Sequence, residues 1–235
     1  MILVMSESVL ITGCSGGIGS ALAEEFGRAG WKVFATARNA DHSELSALAR
    51  KWENLSILPL DVARESTILD AARRLADETI DVLINNAAVF PGDGQEPFES
   101  IDPGWFSQAF ETNVVGVARV TKAFLPHLRR SAQARIANIS SGAGSISEKE
   151  DFHYYPYSVS KAALNMLTRT LAAEFRKEKI IVTAISPGWV KTRMGGPSAS
   201  LTPRESAQSL FRTITSLTMA QSGRFFGRDG EPYAW

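Results

Sequence analysis

The sequence predicts an α/β fold in which helices cover both faces of a doubly wound, seven-stranded parallel sheet. Short apolar runs typical of buried strands alternate along the chain with amphipathic segments of helical period. A glycine-rich turn separates the first apolar run from the first amphipathic segment. No internal repeat, low-complexity tract or long linker divides the 235 residues. We therefore expect a single domain that spans residues 1–235.

Apolar periodicity and glycine or proline stops set the expected boundaries. Residues 1–5 are expected to lead into the first strand. We expect the fourth helix to bend near Gly116, and Pro126 to shorten it, because proline removes a helical N–H. The strands are expected at 9–12, 31–36, 55–60, 80–84, 134–139, 180–185 and 223–226. The helices are expected at 21–29, 43–52, 66–78, 103–130, 157–177 and 204–217, with loops at 88–102 and 186–203.

Composition and charge exclude several classes of function. Lys plus Arg and Asp plus Glu both number 25, so no basic excess indicates a nucleic-acid partner. No apolar run approaches membrane-spanning length, and residues 1–5 are too short for a signal peptide. Cys14 is the only cysteine, which fits a reducing compartment, and the three histidines show no metal-ligand spacing. We expect a cytoplasmic protein without a metal, a membrane contact or bound nucleic acid.

The glycine-rich turn, residues 12–19, is the first candidate site. Glycine permits a tight turn there and lets the backbone N–H groups of a helix N-terminus meet a pyrophosphate. After the first strand of a βαβ unit this turn predicts a dinucleotide-binding Rossmann fold, and a purely structural turn is the alternative. Cys14 is expected to be a small filler. The residues expected to contact the phosphates are Gly13, Ser15, Gly16, Gly17, Ile18 and Gly19.

The end of the second strand distinguishes NADP(H) from NAD(H). A fold that prefers NAD places an acid there to hold the ribose 2′-hydroxyl. Residues 35–38 read Ala-Thr-Ala-Arg, and no acid follows before Asp41. The planar guanidinium of Arg38 can instead bind a 2′-phosphate. The sequence therefore favours NADP(H) over NAD(H), and a solvated Arg38 is the alternative.

Tyr157 and Lys161 are four residues apart, so a helix places them on one face. A free phenol has a pKa of about 10, and a neighbouring ammonium is expected to lower it towards a value useful for proton transfer. The alternative is a half-buried tyrosine beside a solvated lysine. Tyr154 and Tyr155 lack a lysine at this spacing and are expected to line a loop or pocket wall.

With these motifs in this order, nearly the whole chain resembles the short-chain dehydrogenase/reductase family. Ala88 replaces the glycine usual in that family, and we expect only a small local adjustment. The stretch 187–196 and the tail 223–235 further resemble the sniffer-type carbonyl reductases and bacterial C-factor proteins. The motifs that match are Thr12, Gly13, Gly17 and Gly19, Asp61 and Val62, Asn85 to Ala88, Asn113, Ser141, Tyr157 with Lys161, and 187–192.

The resemblance implies hydride transfer between the nicotinamide and a carbonyl carbon. It implies that Tyr157 is the general acid or base and that Lys161 also holds the nicotinamide ribose. It further implies that Ser141 donates to the substrate oxygen and that Asn113 holds a relaying water. Neighbours on a strand point to opposite faces, so Ser140 is the alternative to Ser141. The other cofactor contacts expected are Arg38, Asp61, Val62, Asn86, Ala87, Ala88, Tyr157, Lys161, Pro187, Gly188, Val190 and Thr192.

The expected function is NADP(H)-dependent reduction of an aldehyde or ketone. Alternatives are an NADP(H)-binding signalling or regulatory protein of the C-factor type with little turnover, and an extended-type epimerase or dehydratase. The resemblance also implies a homodimer or higher homo-oligomer, formed through the helices at 103–130 and from Tyr157. We expect the polar loop 144–153 to be solvated and 186–222 to be the substrate-loop region. The apolar pocket candidates, which indicate a hydrophobic substrate, are Val89, Phe90, Tyr155, Trp189 and Met194.

Overall fold

The computed structural model describes residues 7–39 and 43–235, so the expected lead-in at 1–5 and Asp41 lie outside the described residues. Seven strands form one sheet in the order β3-β2-β1-β4-β5-β6-β7, and every neighbouring pair is parallel. This confirms the expected fold class. The strands are β1 (Ser8–Ile11), β2 (Lys32–Ala37), β3 (Leu55–Pro59), β4 (Val82–Asn85), β5 (Arg135–Ile139), β6 (Ile181–Ser186) and β7 (Phe225–Gly227).

Helices connect consecutive strands and cover both faces of the sheet, as a parallel sheet requires. None of the described helices is both long and apolar enough to cross a membrane. The helices are α1 (Gly17–Arg28), α2 (Ser43–Lys51), α3 (Glu65–Arg74), α4 (Gly104–Phe110), α5 (Gly116–Leu128), α6 (Tyr155–Glu174) and α7 (Pro203–Ser216).

The core has two layers, one on each face of the sheet. Strand side chains alternate between them, so that Val9 and Ile11 of β1 pack with α1 and α7, whereas Leu10 packs with α3, α5 and α6. On the first face Phe26 of α1 meets Phe211 of α7 edge to face, with ring centres 4.8 Å apart. Burial on both faces explains why the strands read as continuous apolar runs.

The long helix expected at 103–130 differs from the prediction in two ways. A π-helical turn at Glu111–Val115 joins α4 to α5 immediately before Gly116, the residue at which a bend was expected. Pro126 lies inside α5 and does not end it, because the helix continues to Leu128. Proline removes one helical hydrogen bond, and its effect is limited here because so little of the helix follows it.

Strand order reverses between β1 and β4, since β1 pairs with β2 on one side and with β4 on the other. In open parallel sheets a crevice forms at such a point, outside the carboxyl ends of the strands. The topology therefore places the turn after β1 and the segments after β4 and β5 around one crevice.

Candidate active site

Two glycines of the turn after β1 are required by the protein's own packing. A Cβ atom on Gly19 would lie 2.3 Å from the carbonyl oxygen of Gly13, and one on Gly13 would lie 2.8 Å from the Cα of Ala87. Gly13 also has a positive φ of 75°. Asn86 donates from Nδ2 to the carbonyl oxygens of Thr12 and Gly13 at 2.8 and 3.1 Å. The turn is thus held against the segment that follows β4.

No side chain caps the N-terminus of α1. Its N-cap residue is Gly16, which has no side chain to cap the helix, and no acid occupies the first turn. By contrast, Thr202 and Glu205 form a complete capping box at α7, so the first N–H groups of that helix already have partners. Uncapped N–H groups at a glycine turn fit the pyrophosphate of a dinucleotide.

The segments expected to hold the adenosine half lie at the carboxyl ends of β2 and β3. Arg38 is exposed directly after β2 and forms no ion pair within the described part of the chain. Asp61 accepts the N–H of Ala63 at 3.0 Å, and its carboxylate lies 3.8 Å from Arg64 Nε. Val62 is buried, and Gly116 packs so closely on it that an added Cβ would lie 2.9 Å from Val62 Cγ2.

The loop after β6 reaches back to the phosphate turn. Pro187 accepts a hydrogen bond from Ser206 Oγ at 2.8 Å, and buried Val190 pairs with Leu201 in an isolated bridge. Gly188 next to Pro187 has a positive φ of 80°. Thr192 packs against the phosphate turn, since a Cβ atom on Gly17 would lie 3.1 Å from the methyl carbon of Thr192. Expected contacts from both ends of the chain therefore surround one space.

Ser141, Tyr157 and Lys161 meet beside this space. The hydroxyl of Ser141 lies close enough to that of Tyr157 to act on its pKa. Lys161 donates from Nζ to the carbonyl oxygen of Ile139 at 2.7 Å, and Nζ lies 5.5 Å from the ring centre of Tyr157. Ser140 instead points inward and donates to Asn165 Oδ1 at 2.6 Å. Of the two serines, Ser141 is the one beside Tyr157.

Burial dominates the electrostatics of this pair. Burial raises the pKa of Tyr157 to about 12, and the neighbouring Ser141 hydroxyl offsets only part of that rise. Burial also lowers the pKa of Lys161 to about 7. Some surface of Tyr157 remains open to solvent, and water there tempers the effect. The expectation was that Lys161 would lower the pKa of Tyr157, whereas burial raises it.

Asn113 lies in the π-helical turn and is fully buried. Its Oδ1 accepts the N–H of Val89 at 2.8 Å, and its Nδ2 donates to Val89 O and to Ser160 Oγ, both at 3.0 Å. Ser160 in turn donates to the carbonyl oxygen of Tyr157 at 2.7 Å. Sequence reasoning missed Ser160, although its position three residues after Tyr157 places it one turn along the same helix.

Aromatic side chains line the outer side of Tyr157. Phe90 packs against both Tyr157 and Tyr154, with ring centres 5.1 and 5.5 Å away. Tyr154 caps α6 in the left-handed conformation, with φ of 66°. Trp189 and Met194, in the loop after β6, are 57% and 41% exposed. Both residues therefore present apolar surface to solvent from this loop.

Comparison with known proteins decides the family. The family model described as short chain dehydrogenase matches residues 7–201. The chain belongs to this family. It is 39% identical over 161 residues to the C-signal of Myxococcus xanthus, covering 66% of this chain and 93% of that protein.

Two solved structures show how far the likeness to family members extends. The carbonyl reductase Sniffer of D. melanogaster has a TM-score of 0.91 and 32% identity, covering 98% of this chain and 100% of that one. An NADPH-bound carbonyl reductase from chicken fatty liver has a TM-score of 0.91 and 33% identity, covering 99% and 100%. This chain therefore has the fold of these two structures, both of which are named carbonyl reductases. It is an oxidoreductase of the short-chain dehydrogenase family.

Two other sequence expectations concern this region of the short-chain dehydrogenase. Cys14 is buried in the phosphate turn, and burial raises the pKa of its thiol to about 12, so it is a neutral filler. In the ranges 7–39 and 43–235, no group of three or more His, Cys, Asp or Glu side chains is placed to hold a metal ion.

Proposed function

We propose that this protein is an NADP(H)-dependent oxidoreductase that reduces the carbonyl group of an aldehyde or ketone to an alcohol. The proximity of Ser141 and Tyr157 supports this proposal best, because it places two hydroxyl groups together at the carboxyl end of β5. A carbonyl oxygen beside both hydroxyls would receive two hydrogen bonds. The uncapped turn at Gly16 provides the place for the diphosphate nearby.

When bound, the nucleotide supplies the hydride for the carbonyl carbon. Tyr157 holds the proton for the carbonyl oxygen, and its raised pKa keeps the phenol protonated at neutral pH. Such a phenol can still protonate the much more basic alkoxide that forms as the carbonyl is reduced. Ser141 donates a hydrogen bond to the same oxygen as its negative charge develops.

Lys161 and Asn113 both support Tyr157, the proposed proton donor. Lys161 Nζ uses one of its three N–H groups on Ile139, and the others can hold the ribose hydroxyls. The side-chain amide of Asn113 is committed to Val89 and Ser160. We therefore propose that Asn113 positions Tyr157 through Ser160, and that any relaying water binds its backbone rather than its side chain.

The substrate is proposed to be an apolar carbonyl compound. Phe90 lies 5.1 Å from Tyr157 between ring centres, and Trp189 presents exposed apolar surface from the loop after β6. Region 186–222 carries Trp189 and Met194 and is proposed to close over the substrate. Apolar walls around a few hydroxyl groups are typical of small-molecule sites.

We predict that Tyr157→Phe lowers kcat for aldehyde reduction by about 10²- to 10⁴-fold, the range for losing a general acid. NADPH affinity, measured by fluorescence titration, should change little, because the ring and the fold are kept.

The matched pair Ser141→Ala and Ser140→Ala controls the assignment of the active-site serine. Ser141→Ala should slow turnover far more, since Ser140 only bonds Asn165 inside the fold. A Tyr157→Phe enzyme with half of the normal rate would contradict the proposal.

We predict that Arg38→Gln weakens the binding of NADPH much more than the binding of NADH. The guanidinium follows β2, where it can bind a 2′-phosphate that NADH lacks. KM for NADPH should rise about 10- to 100-fold, as expected when a charge-assisted contact to phosphate is lost. KM for NADH should change much less, which makes NADH the internal control. Equal changes for both nucleotides would show that Arg38 does not select NADP(H).

A second candidate is an NADP(H)-binding signalling protein with little or no turnover. Similarity to the C-signal of Myxococcus xanthus, at 39% identity, is the observation that favours it. Paired Ser141 and Tyr157 hydroxyls argue against it, because a pure sensor needs no proton donor. Tight NADPH binding without NADPH oxidation, across a panel of apolar aldehydes and ketones, would favour this second function.

We also propose that two copies of the chain associate through α5 and α6. Val115, at the end of the π-helical turn that leads into α5, is 37% exposed, and Val159 and Met166 of α6 are 44% and 68% exposed. Pairing two copies would remove this apolar surface from water. Sedimentation velocity should therefore find a dimer or larger assembly, and Met166→Glu should shift it towards the monomer. A wild-type monomer at micromolar concentration would refute this proposal.

A further inference from the structure

Residues 231–235, which we call the tail segment, fold back on β7. Gly227 donates its N–H to the carbonyl oxygen of Glu231 at 2.8 Å, and Tyr233 donates its N–H to that of Phe225 at 2.9 Å. The rings of Tyr233 and Trp235 both pack on Phe225, with centres 4.8 and 5.7 Å away. Because Phe225 is buried, it gives the tail segment a fixed base.

The tail segment is also joined to the 144–153 loop, which follows the turn after Ser141. Ser147 donates both its N–H and its Oγ–H to the carbonyl oxygen of Trp235, at 2.8 and 2.7 Å. The carboxylate of Glu148 lies close to the hydroxyl of Tyr233. Burial, and then the Glu148 charge, raise the pKa of Tyr233, so this hydroxyl keeps its proton.

The hydroxyl of Tyr233 reaches the residue next to Ser141. A Cβ atom on Gly142 would lie 2.5 Å from Tyr233 Oη and 3.1 Å from Tyr233 Cζ. Gly142 begins the short 3₁₀ turn for which Ser141 is the N-cap, and its N–H donates to Ser186 Oγ at 3.2 Å. The turn is therefore enclosed between Ser186 on one side and Tyr233 on the other.

We propose that Tyr233 is a positioning residue for the active site, and that its hydroxyl fixes the turn after Ser141 so that Ser141 meets Tyr157. The inference rests on the proposed function, because it gives Tyr233 a part in the same carbonyl reduction. The Glu148 carboxylate lies beside the Tyr233 hydroxyl, and Phe225 packs against the Tyr233 ring. Movement of the turn would shift Ser141 relative to the substrate oxygen and slow the chemical step, with little effect on the distant phosphate turn.

Gly142→Ala and Tyr233→Phe form a double-mutant cycle for this contact. Gly142 is not among the positive-φ glycines, so the strain on an alanine there comes from its neighbours. Gly142→Ala should lower kcat about 10- to 100-fold, as small misplacements of catalytic groups do, with NADPH affinity nearly unchanged. Tyr233→Phe alone should lower kcat only a few-fold. The double variant should recover most of the Gly142→Ala loss, because the methyl group then meets only the ring.

A matched pair of carboxylate variants tests the anchor of Tyr233. Glu148→Ala removes the partner of the hydroxyl, whereas Glu231→Ala removes an exposed carboxylate of the tail segment itself. Glu148→Ala should lower kcat more than it changes KM, and Glu231→Ala should alter neither appreciably. Equal effects of the two variants, or a Gly142→Ala loss that Tyr233→Phe does not reduce, would overturn the positioning role.

Amide hydrogen exchange provides a readout that needs no substrate or cofactor. The N–H of Ser147 is bonded to Trp235 in the native protein, so it should exchange slowly. Tyr233→Ala should speed exchange across 145–149 while the strands stay protected. Unchanged exchange there would overturn the link even if the enzyme reduces carbonyls. If the wild-type protein reduced no carbonyl compound, the proposed function would be wrong. The exchange result would still show whether the tail segment holds the 144–153 loop.

Discussion

One buried hydrogen bond determines much of the arrangement at the site. Lys161 is only 2% exposed, and its ammonium donates to the carbonyl oxygen of Ile139 at 2.7 Å. Ile139 ends β5 two residues before Ser141, and Tyr157 precedes Lys161 by one turn of α6. This contact therefore joins the end of β5 to α6 close to the two hydroxyl groups. It is costly, because a buried ammonium is desolvated and its pKa falls to about 7.

Other buried polar contacts hold α6 against the sheet along its length. Asn165 joins Ser140 to the carbonyl of Gly144, and Thr168 accepts a hydrogen bond from Asn138 of β5 at 2.9 Å. Ser160 ties the same helix to Asn113. Each buried group needs its partner, so only one register of α6 satisfies them all. Apolar packing could accept a small slide of the helix, but this set of hydrogen bonds could not.

The sheet and the location of the site follow largely from the sequence, whereas the electrostatics do not. Apolar runs predicted every strand to within a few residues, because strands buried on both faces leave continuous patterns. The spacing of Tyr157 and Lys161 predicted their proximity. Spacing could not show that burial raises the pKa of Tyr157, because that depends on surrounding atoms from distant segments. The choice between Ser140 and Ser141 likewise required Asn165, which bonds Ser140 inside the fold.

Transfer of deuterium from labelled NADPH tests the central claim most directly. The protein would be incubated with NADPH deuterated at both C4 positions of the nicotinamide and with an apolar aldehyde. The account predicts an alcohol with one deuterium on the former carbonyl carbon, formed more slowly than with unlabelled NADPH. Tight NADPH binding without any labelled alcohol, over a panel of aldehydes and ketones, would contradict it.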